Sequence, residues 1–69
     1  MGEKMFSMKK KKEYRLRYIG IYAKGIRERL GYTQKKTAKK LEVSQTLISL
    51  FENGKTDSAY LLFGYENIL

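Results

Sequence analysis

Two hydroxyl residues set the frame of this chain. Thr33 and Ser44 stand eleven residues apart, each in front of a short segment with inward residues at helical spacing. A Thr or Ser at a helix N-cap accepts a backbone N–H that the first turn leaves unpaired. After Thr33 the inward positions are Thr37, Ala38 and Leu41; after Ser44 they are Leu47 or Ile48, and Phe51. Glu42-Val43 breaks the first segment, and Gly54 ends the second. The spacing predicts two short helices, 34–41 and 45–53, joined by about three residues.

Upstream, Leu16, Ile19, Ala23, Ile26 and Leu30 recur at intervals of three and four, and Gly31 follows. This predicts a helix from about residue 18 or 20 to 30. Residues 13–17 stay open, because Glu13 to Ile19 also alternates charged and apolar residues as a strand would. Gly20 could separate such a strand from the helix. Downstream, 55–58 reads as a loop and Ala59 to Phe63 as a fourth short helix, with Tyr65, Ile68 and Leu69 apolar after Gly64. The expected fold is all-α, a small bundle of about four short helices. Its central pair has the size of a helix-turn-helix.

Composition limits the chemistry. A chain of 69 residues holds one thin core. Cysteine, histidine and proline are all absent. There is no thiolate, no imidazole base and no common soft metal ligand, so no catalysis, cofactor or metal is expected. The net charge of +8 favours a polyanionic partner. Residues 1–12 carry five lysines and one glutamate, and are expected to form a flexible basic arm ahead of a single domain at 13–69. The start lacks the charge-then-apolar order of a secretory signal, and no apolar run approaches the ~18 residues of a membrane span. Met5, Phe6 and Met8 are too few to anchor the chain on a membrane surface. A soluble, cytoplasmic protein is expected.

The stretch from Ile26 to Lys55 resembles the XRE-type helix-turn-helix, the lambda-phage repressor and Cro family, with similarity over roughly 20–63. Arg27, Gly31-x-Thr33-Gln34, Ala38-x-x-Leu41, Val43-Ser44, Ile48-Ser49 and Glu52-Asn53-Gly54-Lys55 carry it. The resemblance implies a double-stranded DNA partner and a recognition helix at about 45–53. Gln45, Thr46, Ser49 and Leu50 would face base edges; a Gln can pair both ways with adenine, and Leu50 could touch only a thymine methyl. Thr33, Gln34, Ser44, Asn53, Lys55 and Thr56 would meet phosphates, helped by the free N–H groups at helix starts. Arg27 and Glu52 would form a structural ion pair that ties the first helix to the end of the third.

Three positions depart from the family pattern. Thr37 replaces a usual core leucine, so its hydroxyl needs a carbonyl partner or it weakens the packing. Glu42 stands where a turn glycine is common, and Asp57-Ser58 replaces a usual proline. The sequence also ends where the family commonly adds a fifth helix that builds its dimer. Tyr65, Ile68 and Leu69 are the candidates for a dimer surface here, with a frayed end as the alternative. The leading expectation is a transcription regulator, a repressor acting as a homodimer on an inverted repeat. The rivals are a protein-interaction module, such as an antitoxin or inhibitor using its apolar C-terminus, and an accessory architectural DNA factor. Plainer readings stand beside several features. The lysines of the second helix could be a solvated face, Lys9–Lys12 a solubilising tail, and Tyr14, Tyr18 and Tyr22 an apolar flank.

Overall fold

The computed structural model describes residues 8–69, with side chains from residue 11 onward. Four helices follow in order: α1 (Met8–Arg29), α2 (Gln34–Leu41), α3 (Gln45–Glu52) and α4 (Ala59–Asn67). No strand occurs among the described residues, so the fold is all-α. Residues 1–7 of the expected arm lie outside the described residues, and α1 already includes 8–12. None of the helices among the described residues is long and apolar enough to cross a membrane.

α1 begins well before residue 18, and residues 13–17 are helix. The strand-like alternation there has a simple origin. Leu16, Ile19 and Ala23 face inward, while Tyr14, Tyr18 and Ile21 are exposed. Two apolar stripes on opposite sides of one helix interleave in the sequence and mimic a period of two. Leu30, expected to close the inward stripe, is 45% exposed instead. Leu30 still donates its N–H to the Ile26 carbonyl at 3.2 Å, but it stands at the very end of α1, just before the turn at Gly31.

Gly20 does not separate two elements. It is buried where α1 crosses the end of α3, and an ideal Cβ there would lie 2.5 Å from the Glu52 carbonyl oxygen. Gly54 has φ +70°, and a Cβ on it would sit 2.8 Å from Arg17 Cα. These two glycines let the first helix lie directly on the end of the third. α4 runs four residues past the expected Phe63. Gly64 is not a stop; it makes room for Leu41, whose Cδ2 would be 2.8 Å from an added Cβ.

The core consists of Ala23, Ala38, Leu41, Ile48, Phe51, Leu61 and Tyr65. Burying each of the larger side chains is worth about 1.5–3 kcal/mol, so a core of this size leaves other terms decisive. Two of them are unfavourable. Thr37 is wholly buried and its Oγ1 finds no hydrogen-bond partner among the described residues. Glu42 adopts φ 58°, ψ 45° in the turn between α2 and α3, a left-handed conformation that costs a non-glycine residue about 1–2 kcal/mol.

Candidate nucleic-acid interface

The expected caps form. Thr33 Oγ1 accepts from the Lys36 N–H at 3.0 Å, and Ser44 Oγ accepts from the Leu47 N–H at 3.0 Å. Ser58 caps α4 in the same way, accepting from the Leu61 N–H at 3.1 Å. The first amides of α2 and α3 have no partner within their own helices, which is the usual basis for binding an anion there.

α3 has two sharply different faces. Ile48 and Phe51 are buried; Gln45, Thr46 and Leu50 are exposed, and Ser49 is half-buried beside them. The four candidate base-reading residues therefore share the outward side of one helix. The expected phosphate contacts are less uniform. Lys55 is exposed on a loop that its own N–H ties to the Leu50 carbonyl at 2.8 Å, and Thr56 is half-buried next to it. Asn53 turns its Nδ2 back onto the Ser49 carbonyl at 2.8 Å, closing the end of α3. Gln34 turns its Nε2 inward to Glu52 at 3.1 Å, so one of its two amide protons is already used.

Four lysines crowd α2, and two of them find a neighbour. Lys36 Nζ lies 4.9 Å and Lys40 Nζ 5.4 Å from the centre of the Tyr32 ring. Both ammonium groups thus lie over the one aromatic ring, whose electron-rich π-system attracts cations. Lys35 and Lys39 are exposed on the next flank of the helix.

Beneath this surface lies a buried polar network centred on Glu52. Arg27 donates to both carboxylate oxygens, through Nε at 2.7 Å and Nη2 at 3.0 Å. Tyr65 Oη donates at 2.6 Å and Gln34 Nε2 at 3.1 Å. Arg27 Nη1 donates to the Tyr32 carbonyl at 2.7 Å, which fixes the chain between α1 and α2. The carboxylate thus binds one donor residue from each of α1, α2 and α4, and its four acceptor positions are filled. Burial pushes the Glu52 carboxyl up, but the hydrogen bonds from Arg27, Tyr65 and Gln34 outweigh it and hold the group below the usual carboxylate range. The hydrogen bond to Glu52 raises the Arg27 guanidinium still further. Burial, and then the Glu52 carboxylate, pushes the Tyr65 phenol far above its ordinary value.

Tyr65 thus cannot belong to a dimer surface. It is 1% exposed, its hydroxyl is used by Glu52, and its ring tilts against Phe51 at 5.5 Å between centroids. Its place in an apolar tail gave no hint of this; the continuation of α4 through Gly64 turns it inward. Of the other two candidates, Ile68 is exposed and Leu69 packs on the edge of the core. Tyr60 and Phe63 are exposed on the same helix, and with Gly64 and Ile68 they line an open hollow of about 250 Å³ against Leu41. The roles of Gln34 and Tyr65 in the network were missed in the sequence, because each lies 13 to 18 residues from Glu52 and no local pattern links them.

A family model described as helix-turn-helix matches residues 24–59, just over half of the chain. The match takes in the last six residues of α1, all of α2 and α3, and the loop up to the first residue of α4. No curated protein and no solved structure matches the chain.

Proposed function

The chain belongs to the XRE-type helix-turn-helix family of lambda-repressor and Cro type, a family of DNA-binding regulators, and we propose that it is a repressor that reads operator DNA with α3 in the major groove. The observation that carries this reading is the outward face of α3, where Gln45, Thr46 and Leu50 stand exposed on a helix whose other side is anchored in the core. Gln45 and Thr46 offer hydrogen bonds to base edges, Leu50 offers an apolar contact to a thymine methyl, and Ser49 stands at the rim. Lys55, Thr56 and the starts of α2 and α3 at Thr33, Gln34 and Ser44 are assigned to the phosphates. Asn53 joins them through its carbonyl oxygen, since its amide protons serve α3. The Arg27–Glu52 pair fixes the angle of α3 and touches no DNA.

Repression follows from occupying a promoter, which sets the protein in the cytoplasm. The active form in this reading is a homodimer on an inverted repeat, with half-sites about one turn or ~34 Å apart. Its contact is assigned to the exposed Tyr60 and Phe63 of α4 and to Ile68 just after it. The rival use of this C-terminal surface is the capture of a different protein, as in an antitoxin or inhibitor. The test is Gln45→Ala measured against a panel of operator variants. The variant should change preference at one base position by about 1–3 kcal/mol, whereas Lys55→Ala should weaken all sequences alike. An unchanged preferred site in Gln45→Ala overturns the assignment of α3 as the reading helix.

A further inference from the structure

Where α1 crosses the loop after α3, an open polar hollow of about 450 Å³ lies between Glu13, Leu16 and Arg17 of α1 and Asn53, Gly54 and Lys55 of the loop. Gly54 makes this crossing possible. An ideal Cβ on it would lie 2.8 Å from Arg17 Cα and 3.0 Å from Arg17 N, so a side chain there would push the two backbones apart. The close approach plants the Arg17 side chain beside the loop that carries Lys55. Both side chains are exposed, and neither has an ion pair or hydrogen bond among the described residues.

Two acids bear on the charge here. Asp57 is taken up by Arg15 at 2.9 Å. Glu13 stands one turn before Arg17 and lines the same hollow, without an ion pair to either cation. Two free cations thus face one free carboxylate. The loop's backbone adds no donor to hold an anion at positions 53–55. The N–H groups of Asn53, Gly54 and Lys55 donate to the carbonyls of Ser49, Phe51 and Leu50 at 2.8–3.2 Å. Those bonds cap the carbonyl end of α3, which would otherwise repel negative charge. They also leave donation to the side chains. A guanidinium fork suits the two free oxygens of a phosphodiester, and an ammonium adds a point charge. We infer that Arg17 and Lys55 together clamp a backbone phosphate of DNA at the carboxyl-terminal end of α3, with Glu13 weakening the grip. The inference rests on the docking of α3 proposed above and adds α1 to the surface that touches DNA. Ser44 grips the backbone from the opposite end of α3, so the reading helix is held at both ends.

A phosphate contact is blind to sequence, so the test uses the full-length chain and a mixed-sequence duplex, with affinity followed from about 50 to 200 mM salt. Arg17→Ala should weaken binding several-fold and flatten the plot of log affinity against log salt by about 0.9. Arg17→Lys should recover the slope and part of the affinity, since it keeps the charge and loses the fork. Glu13→Gln should tighten binding. Arg29→Ala removes the same charge about 18 Å further along α1 and should leave the slope unchanged. Arg17 and Glu13 are exposed, so thermal unfolding should not move in their variants. An unchanged slope in Arg17→Ala, beside a reduced one in Lys55→Ala, would overturn the clamp and leave the docking of α3 intact. Equal effects of Arg17→Ala and Arg29→Ala would reduce the result to overall charge and overturn the clamp as well. Unchanged binding in Glu13→Gln would overturn the part given to Glu13. A parent chain that binds no duplex even at ~50 mM salt would overturn the DNA reading and the clamp together.

Discussion

Replacing Glu52 by glutamine changes one atom and removes the charge that three helices converge on. The carboxylate accepts from Arg27 Nε, Arg27 Nη2, Gln34 and Tyr65 at 2.6–3.1 Å. A glutamine offers one acceptor oxygen, so about two of these donors lose their partner, and its own N–H groups face other donors. Arg27, only 8% exposed, is left as a buried charge without a counter-ion. Breaking a buried pair in this way costs about 3–5 kcal/mol. A domain of 69 residues has about 3–10 kcal/mol in total, at roughly 0.05–0.15 kcal/mol per residue. Glu52→Gln should therefore consume about a third of the stability or more. At about 4–8 °C per kcal/mol, the melting temperature should fall by at least about 12 °C. Tyr65→Phe gives the scale for one lost bond to a charged acceptor, about 1.5–3 kcal/mol. Urea unfolding followed by circular dichroism measures both. A Glu52→Gln variant within about 1 kcal/mol of the parent, or no worse than Tyr65→Phe, refutes the view that this carboxylate holds the helices together.

Thr37→Val keeps the shape and removes a buried hydroxyl without a partner, so it should stabilise by about 1 kcal/mol in the same urea experiment. Glu42→Gly relieves the left-handed strain at φ 58° and should raise stability by up to about 1 kcal/mol, since the freer unfolded chain offsets part of the gain. The pH profile follows from two displaced groups. Glu52 is held below its unfolded value, so its contribution is present above about pH 4.3 and is lost as the pH falls through the folded value. Tyr65 is raised, so its contribution is present below about pH 10 and fades as the pH climbs beyond it. Unfolding midpoints should be flat between about pH 5 and 9, and Glu52→Gln should lack the Glu52 part of the acid limb.

What the sequence revealed and what it hid follow from the range of each interaction. Thr33, Ser44, Gly31 and Gly54 act within a turn or two of themselves, and α2 and α3 were read from them almost to the residue. The outward set Gln45, Thr46, Ser49 and Leu50 follows from the same period. The Arg27–Glu52 pair spans 25 residues and was reached through the family resemblance alone. Tyr65 was misplaced, because its partner lies on another helix and its neighbours look like a loose apolar end. Gly20 and Gly64 read as breaks because their purpose, room for another helix, exists only once the chain has folded. The two-faced α1 shows the limit of periodicity: a helix with apolar residues on both sides resembles a strand.

The central claim is that α3 reads DNA sequence. Selecting bound duplexes from a random-sequence pool at ~150 mM salt tests it most directly, because non-specific phosphate binding is weakened there. The account predicts recovery of an inverted repeat with half-sites about one helical turn apart. A pool that shows no enrichment, from a chain that still binds DNA at low salt, would contradict it.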